Sequence, residues 1–275
     1  AGAHPLGRAV AKRPRVPHLR PIRGVRAVVE GRRVRGLTRG LIGAILPVQC
    51  AGCRAWDEVL CPSCRSLASS PAHVASIDGA RGPLPLVTMG DYDGPLRRIV
   101  LAAKHSARTD VTVFLDEAGA RLGTALGGVL GVAGSPAAAV GVPMGRAAST
   151  GSAVDVWVVP APSSWKRRLR GRQVALPLAR AVARALAASA RPGVRVQLVD
   201  AVRLRVGATS QSGKAGAQRT VGRMGSMRAL AVPPPGVLVV AVDDVVTTGA
   251  TVREMERVLG GLDAVATLCR PGLIS

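Results

Sequence analysis

Continuous apolar runs separated by amphipathic stretches dominate the second half of the chain. Each run is typical of a strand buried on both faces, and each amphipathic stretch is typical of a helix. The predicted strands are VDVWVVPAP from Val154, which runs into a loop, and residues 194–199, 237–242 and 264–269; the predicted helices are 176–188 and 251–259. This alternation indicates an α/β fold with a mostly parallel, doubly wound sheet and flanking helices.

The first half carries weaker patterns. Residues 84–104 predict a short strand, a turn around DYDGP and a helix LRRIVLAAKH, whose last residues Lys104 and His105 are cations suited to a helix C-terminus. The other predictions are a short helix over 37–46 stopped by Pro47, a helix over 113–126, a flexible Gly/Ala/Ser-rich insertion up to Ser152, and a mobile loop over 204–228.

The uncharged stretch over residues 122–145 is long enough to suggest a membrane helix. Several glycines, Pro136 and Pro143 interrupt it, and alanine outnumbers leucine and isoleucine, so a loop or linker is the better interpretation. The basic N-terminus lacks the apolar core of a secretory signal. We therefore expect a soluble, cytoplasmic protein without a membrane span.

Charge adds a candidate partner. The 38 Lys and Arg residues against 16 Asp and Glu give a formal charge of +22, which is either an electrostatic footprint for nucleic acid or a reflection of arginine-rich coding bias. Only five residues are Trp, Tyr or Phe, so stacking platforms for bases are scarce.

We expect three parts along the chain: a basic disordered arm (1–35), a helix with a cysteine-rich module (36–75) and an α/β domain (84–275).

The segment VLVVAVDDVVTTGAT, from Val237 to Thr251, combines an apolar strand, two carboxylates, a threonine-rich loop and a predicted helix. Backbone N–H groups and the helix dipole favour an anion at such a helix start, and Gly249 permits close approach of a phosphate. A ribose 5-phosphate supplies both a phosphate and a diol for the carboxylates Asp243 and Asp244. The residues predicted to bind it are Asp243, Asp244, Thr247, Thr248, Gly249, Ala250 and Thr251. The alternative is an ordinary capped turn.

Four cysteines near the N-terminus form two close pairs. Cys50 and Cys53 are separated by two residues, as are Cys61 and Cys64. Each pair can bind one metal ion, and four thiolates satisfy tetrahedral zinc without leaving a position for water. Two disulfides are the alternative, but the cytoplasm keeps thiols reduced. The pattern predicts a structural zinc site.

VLVVAVDDVVTTGAT resembles the signature of type I phosphoribosyltransferases. The resemblance implies that Asp243 and Asp244 hold the ribose hydroxyls of phosphoribosyl pyrophosphate and that Thr247 to Thr251 hold its 5′-phosphate. VVPAPSS is similar to the family's pyrophosphate loop, where Mg²⁺ and pyrophosphate meet. That likeness assigns pyrophosphate contacts to Ala161, Pro162, Ser163 and Ser164. The implied reaction displaces pyrophosphate at C1′ by a nitrogen nucleophile.

The four-cysteine module ahead of this domain resembles the ComF family, which includes GntX-like proteins and is known from DNA uptake in competent bacteria. YDGPLRRIVLAAKH and WKRRLRGRQVALPLARAVA carry further likeness, although Arg172-Gln173-Val174 departs from the usual Phe-Asn-Gln. Two functions follow: an enzyme, or a non-catalytic competence factor that binds single-stranded DNA or DNA-uptake proteins. The second of these segments contains four arginines, Arg167, Arg168, Arg170 and Arg172. They could bind pyrophosphate or a nucleic-acid backbone. Alternatively, they form a solvated face.

Overall fold

The computed structural model describes residues 48–105, 111–134, 153–163, 173–205 and 225–272. Several predicted features lie outside these ranges. They are the arm over 1–35, the helix over 37–46, the larger part of the uncharged insertion, Ser164, Arg167, Arg168, Arg170, Arg172 and most of the loop over 204–228.

The described chain contains eight strands, five α-helices and one 3₁₀ turn. The strands are β1 (His73–Gly79), β2 (Gly82–Thr88), β3 (Val154–Pro160), β4 (Val194–Leu198), β5 (Val202–Leu204), β6 (Met227–Ala229), β7 (Leu238–Val245) and β8 (Ala264–Cys269). The helices are α1 (Pro62–Arg65), α2 (Gly94–His105), α3 (Thr112–Val129), α4 (Ala175–Ser189) and α5 (Ala250–Leu259), and Ser66–Ser69 forms the 3₁₀ turn.

Six strands form one sheet in the order β1-β2-β8-β7-β3-β4. β1 and β2 are antiparallel, and every other neighbouring pair is parallel. The expected α/β architecture with a mostly parallel sheet is therefore confirmed. The chain passes from β3 to β4 on one side and to β7 on the other, so the strand order reverses between β3 and β7. In open α/β sheets, ligands bind beyond the carboxyl ends of the strands at such a point.

Successive side chains of a strand point to opposite faces of the sheet, and in the central strands both sets of side chains are mostly apolar. Val156 and Val158 of β3 pack in one buried cluster with residues of α2, α3 and α4. Trp157 and Val159 pack in a second cluster, with residues of α5 and of the β5–β6 pair. The sheet is thus covered on both faces, which explains why β3 and β7 are almost wholly apolar.

Three local features differ from the predictions. β1 was not predicted, because its polar and apolar residues give only a weak alternation at the sheet edge. α3 continues to Val129, and Ala133 forms a bridge with Ala190, so the insertion begins later than expected. The predicted loop over 204–228 was too wide, since its two ends belong to β5 and β6, which pair antiparallel. Short three-residue strands have no periodicity that a sequence can show.

Among the helices in the described ranges, none combines the length and apolar character that a membrane crossing requires.

Glycines allow α3 and α4 to approach closely. A Cβ atom built on Gly123 would lie 2.5 Å from the carbonyl oxygen of Val182 and 2.8 Å from the Cβ of Ala185. A Cβ on Gly127, one turn later, would meet nothing nearer than 3.5 Å. The contact between the two helices therefore depends on the absence of a side chain at Gly123 and not at Gly127.

We predict that Gly123→Ala lowers the free energy of unfolding by roughly 1–3 kcal/mol, the usual cost of overpacking. Gly127→Ala is the matched control and should leave stability unchanged or raise it by up to about 1 kcal/mol, because alanine is the better helix former. Urea unfolding followed by circular dichroism measures both. Equal effects of the two substitutions would contradict this account of the helix contact.

Candidate functional site

The carboxyl end of β7 carries the two predicted acidic residues. Asp243 pairs in register with Thr267 of β8, two residues before the last pair of this ladder, Val245 with Cys269. The amide of Ala161, the first residue after β3, donates to the carbonyl of Val242 over 2.7 Å. Parallel pairing therefore brings the segment Ala161 to Ser163 beside the acidic pair. The two segments predicted from separate parts of the sequence lie together at the sheet edge.

The loop after β7 leads directly into α5. Thr247 and Thr248 are exposed, and Gly249 adopts a left-handed conformation with φ of 69°. α5 begins at Ala250, and neither a side-chain cap nor an acidic residue serves its first turn. An L-amino acid with a side chain is strained at this φ, so glycine is required here. The helix start keeps its positive dipole end available to an anion.

Arg253 reinforces the loop, a role the sequence did not reveal. Its guanidinium donates to the carbonyl of Thr248 over 2.6 Å and to that of Asp78 over 3.4 Å. A Cβ on Gly249 would lie 3.1 Å from the same guanidinium. Arg253 therefore adds positive charge beside the threonine loop and ties that loop to the β1–β2 hairpin.

Two buried glutamates fix the position of α5. Glu254 accepts a hydrogen bond from the amide of Met227, and Glu256 accepts one from the amide of Ala80 over 2.6 Å. Burial opposes ionisation of Glu254, but hydrogen bonds from the Arg257 guanidinium and the Met227 amide outweigh it and lower the pKa of this carboxyl. An ionised Glu254 thus anchors α5 to β6, and the helix start is held in place.

Lys104 at the end of α2 reaches the acidic pair. Its Nζ lies 2.8 Å from Oδ1 of Asp244, and the two side chains are only 16% and 15% exposed. The sequence interpretation gave Lys104 only a favourable interaction with its own helix dipole, and the structure adds this direct ion pair. Sequence alone does not reveal the pair, because 140 residues separate positions 104 and 244 along the chain.

The two carboxylates have different surroundings. Oδ1 of Asp243 accepts the amide of Asp244 over 2.8 Å, which turns that carboxylate back toward the main chain. Asp244 is bound to Lys104 through one oxygen. Adjacent carboxylates repel each other, and a nearby cation offsets this repulsion. The carboxylate oxygens of the pair can accept hydrogen bonds from hydroxyl groups.

Cys269 lies at the end of β8 behind the acidic pair and is completely buried. Burial, together with the negative charges of Asp244 and Asp243, raises the pKa of Cys269 to about 12. The thiol is therefore protonated and unreactive near neutral pH. Cys269 therefore packs as a small apolar side chain in the buried cluster.

The four predicted cysteines converge in the segment before β1. The sulfur atoms of Cys50, Cys53, Cys61 and Cys64 all lie within 4.8 Å of one another. None of the four forms a disulfide within the described residues. Tetrahedral zinc with bonds near 2.3 Å holds its sulfurs about 3.8 Å apart, so small adjustments bring the cluster to that geometry. The cluster can bind a metal ion such as zinc.

Backbone amides support the sulfur of Cys50. Burial opposes its ionisation, but amide hydrogen bonds from Cys61, Cys53 and Gly52 lower the pKa of Cys50 to about 6. The amide of Cys61 lies 3.4 Å from this sulfur. Burial and the neighbouring sulfurs raise the pKa of Cys64. One thiolate is thus favoured before a metal binds, and the cation would favour the others.

Gly52 is needed in this cluster for space. Its Cβ would lie 2.5 Å from the sulfur of Cys64 and 3.3 Å from Cδ1 of Ile99 on α2. The spacing of the cysteines along the chain does not reveal this steric constraint. The cysteine module therefore packs directly on α2 and shares the buried cluster on that face of the sheet.

No profile of a known protein family matches the chain, and no curated protein matches it significantly in sequence. We therefore infer the function from the residues and their geometry.

We predict that the purified protein binds one zinc ion per chain. Cys64→Ser should abolish stoichiometric binding, because it removes one of four ligands and leaves an incomplete site. Cys269→Ala removes the cysteine outside the cluster and should retain one ion. Elemental analysis after dialysis measures both variants. Full zinc content in Cys64→Ser would contradict a four-cysteine site.

Proposed function

We propose that the protein binds phosphoribosyl pyrophosphate with Mg²⁺ at the carboxyl edge of β7 and β3, and transfers the phosphoribosyl group to a nitrogen acceptor. The observation that carries this proposal is the order of groups after β7. Two carboxylates are followed within a few residues by exposed threonines, a left-handed glycine and an uncapped helix start. A vicinal diol joined to a phosphate matches that order of acceptors and donors.

The proposal gives each group a separate task. Asp243 and Asp244 accept hydrogen bonds from the ribose 2′- and 3′-hydroxyls. Thr247, Thr248 and Thr251 donate hydroxyl hydrogen bonds to the 5′-phosphate, together with the amides of Gly249 and Ala250. Arg253 keeps the threonine loop in position, and its positive charge attracts the negatively charged 5′-phosphate. The resemblance to type I phosphoribosyltransferases noted in the sequence supports the same assignment.

The segment after β3 is assigned to the pyrophosphate. Ala161, Pro162 and Ser163 lie beside the acidic pair because β3 and β7 pair in parallel, and Ser164 is assigned to the same loop from sequence. Mg²⁺ would neutralise part of the pyrophosphate charge. In the reaction, the bond from C1′ to the pyrophosphate oxygen breaks, and pyrophosphate leaves with the electron pair. A C1′–N bond forms, and the nitrogen loses a proton.

Single-stranded DNA binding is the second candidate, in line with the ComF resemblance. The net charge of +22 favours polyanions. Trp56 of the cysteine module is 58% exposed and offers one stacking surface. The first candidate has stronger support, because it accounts for the carboxylates, which would repel a nucleic-acid backbone.

We predict that calorimetric titration of the zinc-loaded protein with phosphoribosyl pyrophosphate and Mg²⁺ detects one site per chain. Asp243→Asn/Asp244→Asn should weaken binding at least about 100-fold, the loss of roughly 3 kcal/mol expected for hydrogen bonds to charged groups. Asp155→Asn is the matched control: Asp155 lies near the start of β3, at the other end of this strand from the site, so the variant should bind normally. Undetectable binding by the folded parent protein, with salt-sensitive binding of single-stranded DNA, would favour the second candidate.

We further predict that Lys104→Met weakens binding of the same ligand about 10-fold or more, because the acidic pair loses its compensating cation and the ligand is itself polyanionic. Lys104→Arg should recover part of the affinity. Arg121→Ala removes an equal charge from the exposed side of α3 and serves as the control. Tighter binding by Lys104→Met would show instead that Lys104 competes with the ligand for Asp244.

A further inference from the structure

Helix α2 contacts both the cysteine module and the acidic pair. Near its start, the side chain of Arg98 donates a hydrogen bond to the carbonyl of Gly52, which stands between Cys50 and Cys53. At its end, Lys104 contacts Asp244. The two side chains are six residues apart on one helix, a rise of about 9 Å.

The middle of α2 is firmly packed. Ile99 and Val100 are fully buried in the cluster that also contains Cys50 and Cys64. Ile99 touches the module directly, since its Cδ1 lies 3.3 Å from the position of a Cβ on Gly52. Close-packed interiors transmit strain, so we expect a change in the module to displace Arg98 and Lys104 together.

The contact between the cysteine module and α2 begins in the turn between Cys50 and Cys53. Gly52 lies between two of the four sulfurs, and the space beside its Cα is filled by the sulfur of Cys64. Closing four thiolates around one ion fixes that turn and therefore the direction of the Gly52 carbonyl. Without an ion, the four cysteines have no common ligand bond that holds this turn.

We propose that Arg98 and Lys104 are positioning residues through which the four-cysteine module sets the affinity of the site at Asp244. Metal binding at the cysteines holds α2 in the register that keeps Lys104 on Asp244. Metal binding and phosphoribosyl pyrophosphate binding are therefore thermodynamically coupled. This inference rests on the proposed function, because it assigns that ligand to Asp244.

Coupling of this kind is reciprocal. If the metal raises the affinity for the ligand by some factor, the ligand raises the affinity for the metal by the same factor. The effect can therefore be read at the cysteines as well as at the acidic pair. Equilibrium competition for zinc with a chromophoric chelator measures the affinity at the cysteines without requiring turnover.

The decisive variant is Arg98→Met in the zinc-loaded full-length protein. It breaks the hydrogen bond to Gly52 and leaves the cysteines, Lys104 and the acidic pair in place. We expect its affinity for phosphoribosyl pyrophosphate with Mg²⁺ to fall about 5-fold or more, the lower end of typical allosteric coupling. In the parent protein the ligand should raise the affinity for zinc by a similar factor, measured by equilibrium competition with a chromophoric chelator, and in Arg98→Met it should not. Arg121→Ala is the control and should behave like the parent.

The outcomes separate this inference from the proposed function. Normal ligand affinity in Arg98→Met, with ligand-independent zinc affinity in the parent, would overturn the coupling and leave the proposed function intact. If the zinc-loaded parent binds no ligand, the proposed function fails. The zinc affinity of Lys104→Met then tests the link through α2 by itself: a lower affinity than that of the parent and of Arg121→Ala supports the link, and an equal affinity overturns it. Circular dichroism of each variant establishes that it is folded.

Discussion

Two neighbouring carboxylates at the end of a buried strand require a compensating cation, and Lys104 provides it. The strand β7 is buried among its neighbours, so Asp243 and Asp244 emerge at a fixed place on the sheet edge. Lys104 meets Asp244 because α2 packs on that face through buried residues such as Ile99. The cysteine module packs in turn against α2, with Gly52 next to Ile99. One ion pair thus connects the sheet, the helix layer and the metal-binding segment.

The sequence predicted the central features because each depends on contiguous residues. The acidic pair, the threonine loop and Gly249 follow from one strand–loop–helix segment, and the cysteine cluster follows from spacing. Lys104 and Arg253 act through contacts that no local pattern encodes, since their partners lie on other elements. β1 was missed because edge strands need no regular alternation, and β5 and β6 because three residues show no period.

The two candidate sites have different chemical characters. The cysteine cluster offers four sulfur ligands, so a bound zinc ion would have no open position for substrate or water. The edge of β7 offers carboxylates, hydroxyls and a helix start, which suit a phosphorylated sugar. We therefore propose the sheet edge as the ligand-binding site and the cysteine cluster as the element that holds α2.

The most direct test of the central claim is a crystal structure of the zinc-loaded protein with phosphoribosyl pyrophosphate and Mg²⁺ bound. The account predicts the ribose hydroxyls within hydrogen-bond distance of Asp243 and Asp244, and the 5′-phosphate on the amides between Thr247 and Thr251. Lys104 should still contact Asp244 in that complex. A ligand bound elsewhere, or a phosphate placed away from the start of α5, would contradict the claim.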